Sequence, residues 1–326
     1  MNKEKYWDAA IGLQDVDGLK PSKYLLEIVK ENIEGNIGIE EVGKRINNYY
    51  EEVDQLEKEK FEEADKVSVR IAKLLCDDSF NLSPSELINI HKELFNGLIE
   101  NAGEYRNYDF TKKEWILNND TVIYSSYDSI KNNLEYDFDR EKDFSYKDLS
   151  IDESIKHLSK FISNIWQVHP FSEGNTRTTA LFLIKYLRTF GFDINYDVFS
   201  NNSWYFRNAL VRANYKNYDK NIFEDLSYLE KFFYNLLTDS NYELKNRYLH
   251  VNYMNDNNNV KVGNYSLEKQ AILNIIRINP NITQDEIAIR IGKSLRSVKN
   301  YMLDMQKDGL IKRINGKRNG KWYVII

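Results

Sequence analysis

Ten consecutive residues, His169-Pro170-Phe171-Ser172-Glu173-Gly174-Asn175-Thr176-Arg177-Thr178, hold a base, a carboxylate, a flexible corner and a guanidinium. An apolar run from Thr179 to Ile184 follows at once, so the stretch reads as a loop entering the N-terminus of a buried helix. Such a helix start presents unpaired N–H groups and a partial positive charge. Gly174 lets the backbone approach a phosphate with no side chain in the way. Asn175 and Thr176 can add donors, and Arg177 can fork onto phosphate oxygens. Glu173 beside this cradle is repelled by an anion unless a cation lies between them, which marks it as a Mg²⁺ ligand. His169, with an ordinary pKa of about 6.5, suits a general base that takes a proton from a hydroxyl.

The elements that must position these residues read mainly as helices. Fourteen Gly and four Pro in 326 residues favour long helices over many short strands. Ser22 caps a helix from Lys23 to Asn32, and Glu34-Gly35-Asn36 breaks it. Glu40 to Leu75 is expected as one or two long helices. Ser83, Pro84 and Glu86 form a capping box that opens a helix to Leu98. Trp115-Ile116-Leu117, a turn at Asn118-Asn119-Asp120, and Thr121 to Tyr124 read as a lone hairpin that must lean on neighbouring helices. Helices follow over Ser129–Phe138, Ser150–Gln167, Thr178–Thr189, Trp204–Asn214 and Ile222–Leu237. The Thr178–Thr189 helix is apolar nearly all round and is expected at the centre.

Cys76 is the only cysteine, which excludes an internal disulfide and a four-cysteine zinc site, and it is expected to be a buried small hydrophobe. His91, His157 and His250 lie outside any metal-ligand spacing and are expected to be structural. No secretory leader pattern and no long apolar run is present, so the expectation is a cytoplasmic protein without a membrane partner.

Charge divides the chain. From Ser266 to Ile326 there are 12 Lys/Arg against 5 Asp/Glu, a balance of +7, while the rest carries −12. Two modules with different partners are expected: a helical region over 1–80, a central domain over 81–254, a linker over 255–265, and a basic domain over 266–326. The basic domain reads as three helices, Leu267–Arg277, Gln284–Ile291 and Leu295–Asp308. Two strands follow, Leu310–Arg313 and Lys321–Ile325, which together make a winged helix-turn-helix. Arg296, Lys299 and Asn300 start its third helix, and Lys317 and Arg318 lie at the wing. These five are candidates for DNA contact, with protein docking as the other use of such a module.

The central motif resembles the signature of Fic proteins, His-x-Phe-x-Asp/Glu-Gly-Asn-Gly-Arg-x-x-Arg, and the resemblance covers about Ser83 to Leu237. It implies a mainly helical bundle with a short β-hairpin flap. Most characterised members move AMP from ATP to a Ser, Thr or Tyr hydroxyl of a target protein. By this resemblance His169 is the general base, Phe171 anchors the loop, and Glu173 holds Mg²⁺. Gly174, Asn175, Thr176 and Arg177 would hold the α- and β-phosphates. Thr121, Val122, Ile123 and Tyr124 match the flap that holds a target by added-strand pairing. Asn214 stands where members carry an Asn near the nucleotide, and Tyr205 and Phe206 either wall the adenine or pack in the core.

Two positions depart from the signature. Thr176 replaces a Gly, and Ala180 replaces the second Arg, which in the family grips the γ-phosphate. Arg207 is the first candidate to replace it and Arg212 the second. Glu34-Gly35 resembles the end of the family's inhibitory helix, although Lys30 stands at its Ser/Thr position. Glu34 either inhibits or helps water remove AMP. The leading expectation is therefore a protein adenylyltransferase that uses ATP and Mg²⁺ on a target protein or on itself. Another nucleotidyl or phosphoryl transfer, AMP removal, and a nucleotide-sensing DNA-binding regulator remain as alternatives. The target and the oligomeric state are not legible.

Overall fold

The computed structural model describes residues 3–192, 194–251, 266–314 and 320–325. Four helices build the N-terminal region: α1 (Lys3–Gly12), α2 (Lys23–Ile33), α3 (Ile39–Glu52) and α4 (Gln55–Leu75). Ser22 caps α2 by accepting from the Leu25 amide, as its residue type predicts. The long charged stretch is two helices, because Asp54 takes the Glu57 amide and starts α4 afresh. Asp65 of α4 is fully buried and collects three donors: the Ser22 amide at 2.8 Å, the Ser22 hydroxyl at 2.5 Å and the Tyr50 hydroxyl at 2.7 Å. It ties α2, α3 and α4 into one layer. Helix α1 has little amphipathic pattern and was not expected from the sequence; Trp7 secures it by donating to Asn32 at 2.9 Å.

The central bundle comprises α5 (Pro84–Phe95), β1 (Lys113–Glu114), β2 (Asp120–Thr121), α6 (Ile130–Asp143), α7 (Ile151–Val168), α8 (Asn175–Thr189), α9 (Tyr196–Ala213) and α10 (Ser227–Leu237). Every residue of α8 from Asn175 to Leu187 is buried, so the predicted central helix is the axis of the core. Both α5 and α7 start at serine caps. At α7 the box is complete, whereas at α5 only its first half forms, with Ser83 accepting the Glu86 amide.

Three expectations are corrected. The hairpin exists, but its antiparallel pairs are Lys113 with Thr121 and Glu114 with Asp120. Trp115–Leu117 is a 3₁₀ turn, because Asn118 and Asn119 both take left-handed backbone and Ile116 and Leu117 turn into the core. The last bundle helix starts at Ser227 rather than Ile222, since Ile222 is occupied in a bridge with Asn217. Cys76 is exposed, because α4 ends at Leu75 and the chain turns outward there.

The C-terminal module holds α11 (Leu267–Ile278), α12 (Gln284–Arg290), α13 (Leu295–Lys307), β3 (Ile311–Ile314) and β4 (Lys321–Val324). Strands β3 and β4 pair antiparallel from Ile311–Val324 to Ile314–Lys321. Three helices and a two-stranded wing are thus present as predicted. The linker 255–265 and the wing residues Lys317 and Arg318 lie outside the described residues. Gly191, just beyond α8, meets Ile291 so closely that a Cβ there would lie 2.1 Å from its side chain.

Candidate functional site

His169 terminates α7 in left-handed backbone at φ 50°, an unusual conformation for a residue with a Cβ. That corner aims the chain from α7 into the loop before α8. The imidazole is buried; its Nδ1 lies 3.3 Å from the Trp166 carbonyl oxygen, and Tyr124 of the flap stacks on it with centroids 3.9 Å apart. Burial pushes its pKa down to about 3, and the cations Lys112, Arg106 and Arg207 add to the lowering. The ring is therefore neutral at pH 7, the form a base requires.

Arg106 locks this corner. Its Nε donates to the His169 carbonyl at 2.8 Å, Nη1 to the Tyr108 carbonyl at 2.6 Å and Asp109 at 3.2 Å, and Nη2 to the Ser125 and Val168 carbonyls. Carbonyls at a helix C-terminus lack helical partners, so a buried guanidinium satisfies several at once. The same residue welds the flap exit to the base. No motif or period marks it in the sequence.

The loop after His169 is braced from within. Phe171 is buried and stacks on His91 at 3.8 Å, as its anchoring role predicts. His91 accepts from the Gly103 amide through Nδ1, so its Nε2 carries the proton and donates to the Glu173 carbonyl at 3.1 Å. Burial pushes the His91 pKa down to about 4. Asn175 accepts the Phe171 amide at 3.0 Å and donates to the Phe171 carbonyl at 2.7 Å. Thr176 accepts from the Trp166 indole at 3.0 Å, which gives the departure from glycine a definite use: it joins α7 to α8.

Gly174 has φ 72°, and a Cβ there would lie 2.4 Å from the Phe95 ring. It is also the N-cap of α8, and α8 has no side-chain cap. The first amides of a buried helix are thus left to a ligand or water. Glu173 is exposed beside them. No cluster of three or more metal-ligating side chains occurs among the described residues. One carboxylate next to a helix start suits Mg²⁺, which takes most of its other ligands from substrate phosphates and water.

The arginines go elsewhere. Arg177 is buried and held by N-terminal residues: Nη1 donates to Gln14 at 3.1 Å, Nη2 to Glu63 at 2.6 Å, and Nε faces Asp17 at 2.9 Å. Its guanidinium also covers the Phe95 ring at 4.8 Å. The turn carrying Gln14 and Asp17 is fixed against α9, where the Gly12 carbonyl accepts from Ser203 at 2.7 Å. Glu34 faces solvent and accepts from Asn36 at 3.0 Å. Arg207 forks onto Glu114 of the flap with bonds of 2.8 and 2.9 Å, both residues being buried. Arg212 is buried, and its Nε and Nη1 have no hydrogen-bond partner. The Asn214 amide donates to the Leu210 and Ser163 carbonyls. Tyr205 and Phe206 are core residues: Tyr205 bonds the Tyr228 carbonyl, and Phe206 packs on Phe199 and Phe232.

On the flap, Thr121 belongs to β2, Val122 and Tyr124 are buried, and Ile123 is exposed. Gln167 donates to the Ile123 carbonyl at 2.5 Å, and Asp120 accepts from Tyr215 at 2.7 Å. In the C-terminal module Arg296, Lys299, Asn300 and Leu303 are exposed on one face of α13.

A helical bundle with a histidine corner, an uncapped glycine-led helix start and a small flap defines the class, and comparison with known proteins agrees. Residues 81–187 match the Fic/DOC family, and residues 269–312 match a winged helix-turn-helix DNA-binding family. Residues 81–187 are thus a Fic-family domain, and residues 269–312 belong to a separate winged-helix domain. Fic/DOC members characteristically carry out nucleotidyl or phosphoryl transfer.

Among solved structures, the N-terminal FIC domain of the Bep8 effector of Bartonella sp. 1-1C is similar at 19% identity and TM-score 0.41, over 52% of this chain and 81% of that one. A Fic family protein of Desulfovibrio desulfuricans G20 is similar at 12% identity and TM-score 0.45, over 99% and 87%. The ribonucleoside-diphosphate reductase small chain of Ostreid herpesvirus 1 (isolate France) is 27% identical over 132 residues, 37% of this chain. The chain spans about a fifth, 22%, of the length of that curated relative. No described helix is long and apolar enough to cross a membrane.

Proposed function

We propose that the chain is a protein adenylyltransferase that moves AMP from ATP to a Ser, Thr or Tyr hydroxyl of a target protein or of itself. The observation that carries this reading is the histidine corner running directly into an α8 start without a side-chain cap, at a glycine whose Cβ would strike Phe95. His169 takes the hydroxyl proton, the oxygen bonds to the α-phosphorus, and pyrophosphate leaves. The α8 amides and Gly174 hold phosphate oxygens. Glu173 would hold Mg²⁺, whose contribution is to neutralise charge on the polyphosphate. Asn175 and Thr176 keep the loop in shape through Phe171 and Trp166, and Asn214 braces the end of α9.

The described conformation supports a resting, closed state. Tyr124 covers the base, Glu114 and Arg207 latch the flap, and Asp17 and Glu63 occupy Arg177. Inhibition is therefore assigned to Asp17 and Glu63 at least as much as to Glu34, which is exposed. Incubating the full chain and a cell extract with each labelled nucleoside triphosphate and Mg²⁺ tests the reading. AMP-labelled protein that disappears in His169→Ala supports it; no labelling from any donor removes it.

A second function is carried by the exposed face of α13, where Arg296 and Lys299 lie together with Asn300. We assign that face to DNA, with the Fic body as the part that reports nucleotide.

A further inference from the structure

An in-line transfer sorts the groups of the site by partner. The attacking hydroxyl and the departing pyrophosphate lie on opposite sides of the α-phosphorus. Groups beside the base therefore meet the target, and groups at the α8 start meet the polyphosphate. The Trp166 carbonyl, 3.3 Å from Nδ1 of His169, can only accept, so Nδ1 carries the proton and Nε2 is the basic nitrogen that receives the target hydroxyl.

The charges on the target side do not balance. Each of the three acids between Tyr108 and Ser125 is already engaged. Asp109 accepts from Arg106 at 3.2 Å and from the Tyr127 amide at 2.8 Å. Glu114 is buried against Arg207 at 2.8 Å. Asp120 accepts from Tyr215 at 2.7 Å and lies 3.9 Å from Lys220. Lys112 and Lys113 remain. Both are exposed, and among the described residues neither is paired with an acid. The flap is thus a local positive patch on an acidic body, since the positive balance of the chain lies in its C-terminal module.

Of the two lysines, Lys112 is the one on the side of the base. Side chains of an extended chain alternate, which sets Phe110, Lys112 and Glu114 on one side of the hairpin and Lys113 on the other. Phe110 lies 5.6 Å from the His169 ring. The Lys112 amide donates to Thr121 at 3.2 Å, so its backbone is fixed there. Burial is the main cause of the lowered His169 pKa, and Lys112 is the first cation that adds to it, so its charge reaches the ring.

We propose that Lys112, with Lys113 beside it, selects the hydroxyl to be modified by the charge around it: the substrate is a Ser, Thr or Tyr within about two residues of an Asp or Glu. A target strand laid along the flap advances about 3.3 Å per residue, so a carboxylate that close to the hydroxyl stays within reach of a lysine next to the base. A Lys or Arg in the same place meets like charge. An exposed pair of this kind favours acid-flanked over base-flanked hydroxyls by about two- to fivefold. The proposal rests on the adenylyl-transfer reading above and names its substrate class.

The full chain, a cell extract, labelled ATP and Mg²⁺ test it, with modified sites located by mass spectrometry and counted against the unmodified hydroxyls of the same extract. Sites with a neighbouring Asp or Glu should be enriched about two- to fivefold. Lys112→Glu should reverse the preference toward sites flanked by Lys or Arg, while calorimetry shows ATP affinity within about twofold of wild type. Lys112→Arg should keep the wild-type preference. Wild-type sites with no excess of neighbouring acids overturn the selection and leave adenylyl transfer standing. An acid preference that persists in Lys112→Glu also overturns it, because recognition then lies on other residues. Equal loss of labelling at all sites together with weakened ATP binding places Lys112 at the nucleotide and overturns it as well. A wild-type chain that labels nothing from any donor removes the proposed function, and the selection with it.

Discussion

Nη2 of Arg177 lies 2.6 Å from Oε1 of Glu63, a carboxylate 114 residues earlier in the chain. A motif side chain expected to meet phosphate is thus closed by the N-terminal layer. Glu63 is presented there by α4, which the buried Asp65 hub fixes two residues further on. An incoming polyphosphate must compete with two carboxylates for one guanidinium.

Replacing Asp17 by Asn and Glu63 by Gln together should therefore raise ATP affinity several-fold. It should also lower stability by about 1–2 kcal/mol, since Arg177 is buried but its partners are partly exposed. Calorimetry and thermal unfolding of the same variant check the two halves. Lower stability with unchanged affinity would make the clamp purely structural.

His169→Ala should abolish transfer and leave ATP affinity within a few-fold, because the base touches the hydroxyl and not the phosphates. Self-labelling by intact-mass analysis reads the first outcome and titration the second. Labelling that survives the substitution would transfer the base role elsewhere.

The motif residues show how much was legible in the sequence. The order of the bundle helices, the winged helix and the loop from His169 to Arg177 followed from period, caps and turn chemistry. The flap's register did not, because two-residue strands are set by tertiary contacts, here the Glu114–Arg207 fork and the burial of Ile116 and Leu117. Helix α1 escaped because its first turns have weak periodicity and are held by Trp7 packing. Arg106, Gln14, Asp17 and Glu63 escaped for a related reason: their roles come from long-range contacts, and nothing in their local sequence distinguishes them from surface polar residues.

Two histidines make acid stability predictable. His91 is neutral and buried, with its pKa lowered to about 4, and His169 is lowered to about 3. In the unfolded chain both would titrate at about 6.5 and bind protons that the folded state refuses. Their contribution is fully present above about pH 6.5 and is lost as pH falls toward the folded values. Unfolding midpoints should fall steadily from pH 6.5 to pH 4. His91→Gln should reduce that slope while lowering stability at pH 7, where its bonds to Gly103 and Glu173 are lost or lengthened. A slope identical to wild type would show that other groups control acid unfolding.

The flap latch should behave as a buried ion pair. Glu114→Gln leaves Arg207 buried without a counter-charge and should cost about 3 kcal/mol. Adding Arg207→Met to that variant should recover part of the loss, because the stranded charge is gone. A thermal double-mutant cycle measures the coupling. Additive losses would mean that the two side chains act independently despite their 2.8 Å contact.

The last expectation concerns the winged helix. Arg296, Lys299 and Asn300 are exposed on one face of α13, with Lys312, Arg313 and Lys321 exposed on β3 and β4. Several basic groups on a small domain favour a phosphate backbone, and each contact formed releases counterions. The affinity of the full chain for duplex DNA should therefore fall steeply between 50 and 200 mM salt, with a log–log slope of about −0.9 per phosphate contacted. Charge reversal at Lys317 and Arg318 should weaken binding on every sequence. Reversal at Arg296 should also change preference among sequences, because the start of the recognition helix meets base edges as well as phosphates. Fluorescence anisotropy with a random duplex pool and with sites selected from it separates the two effects. No binding at low salt would remove DNA as the partner and leave protein docking, for which Leu303 on the same exposed face supplies an apolar contact.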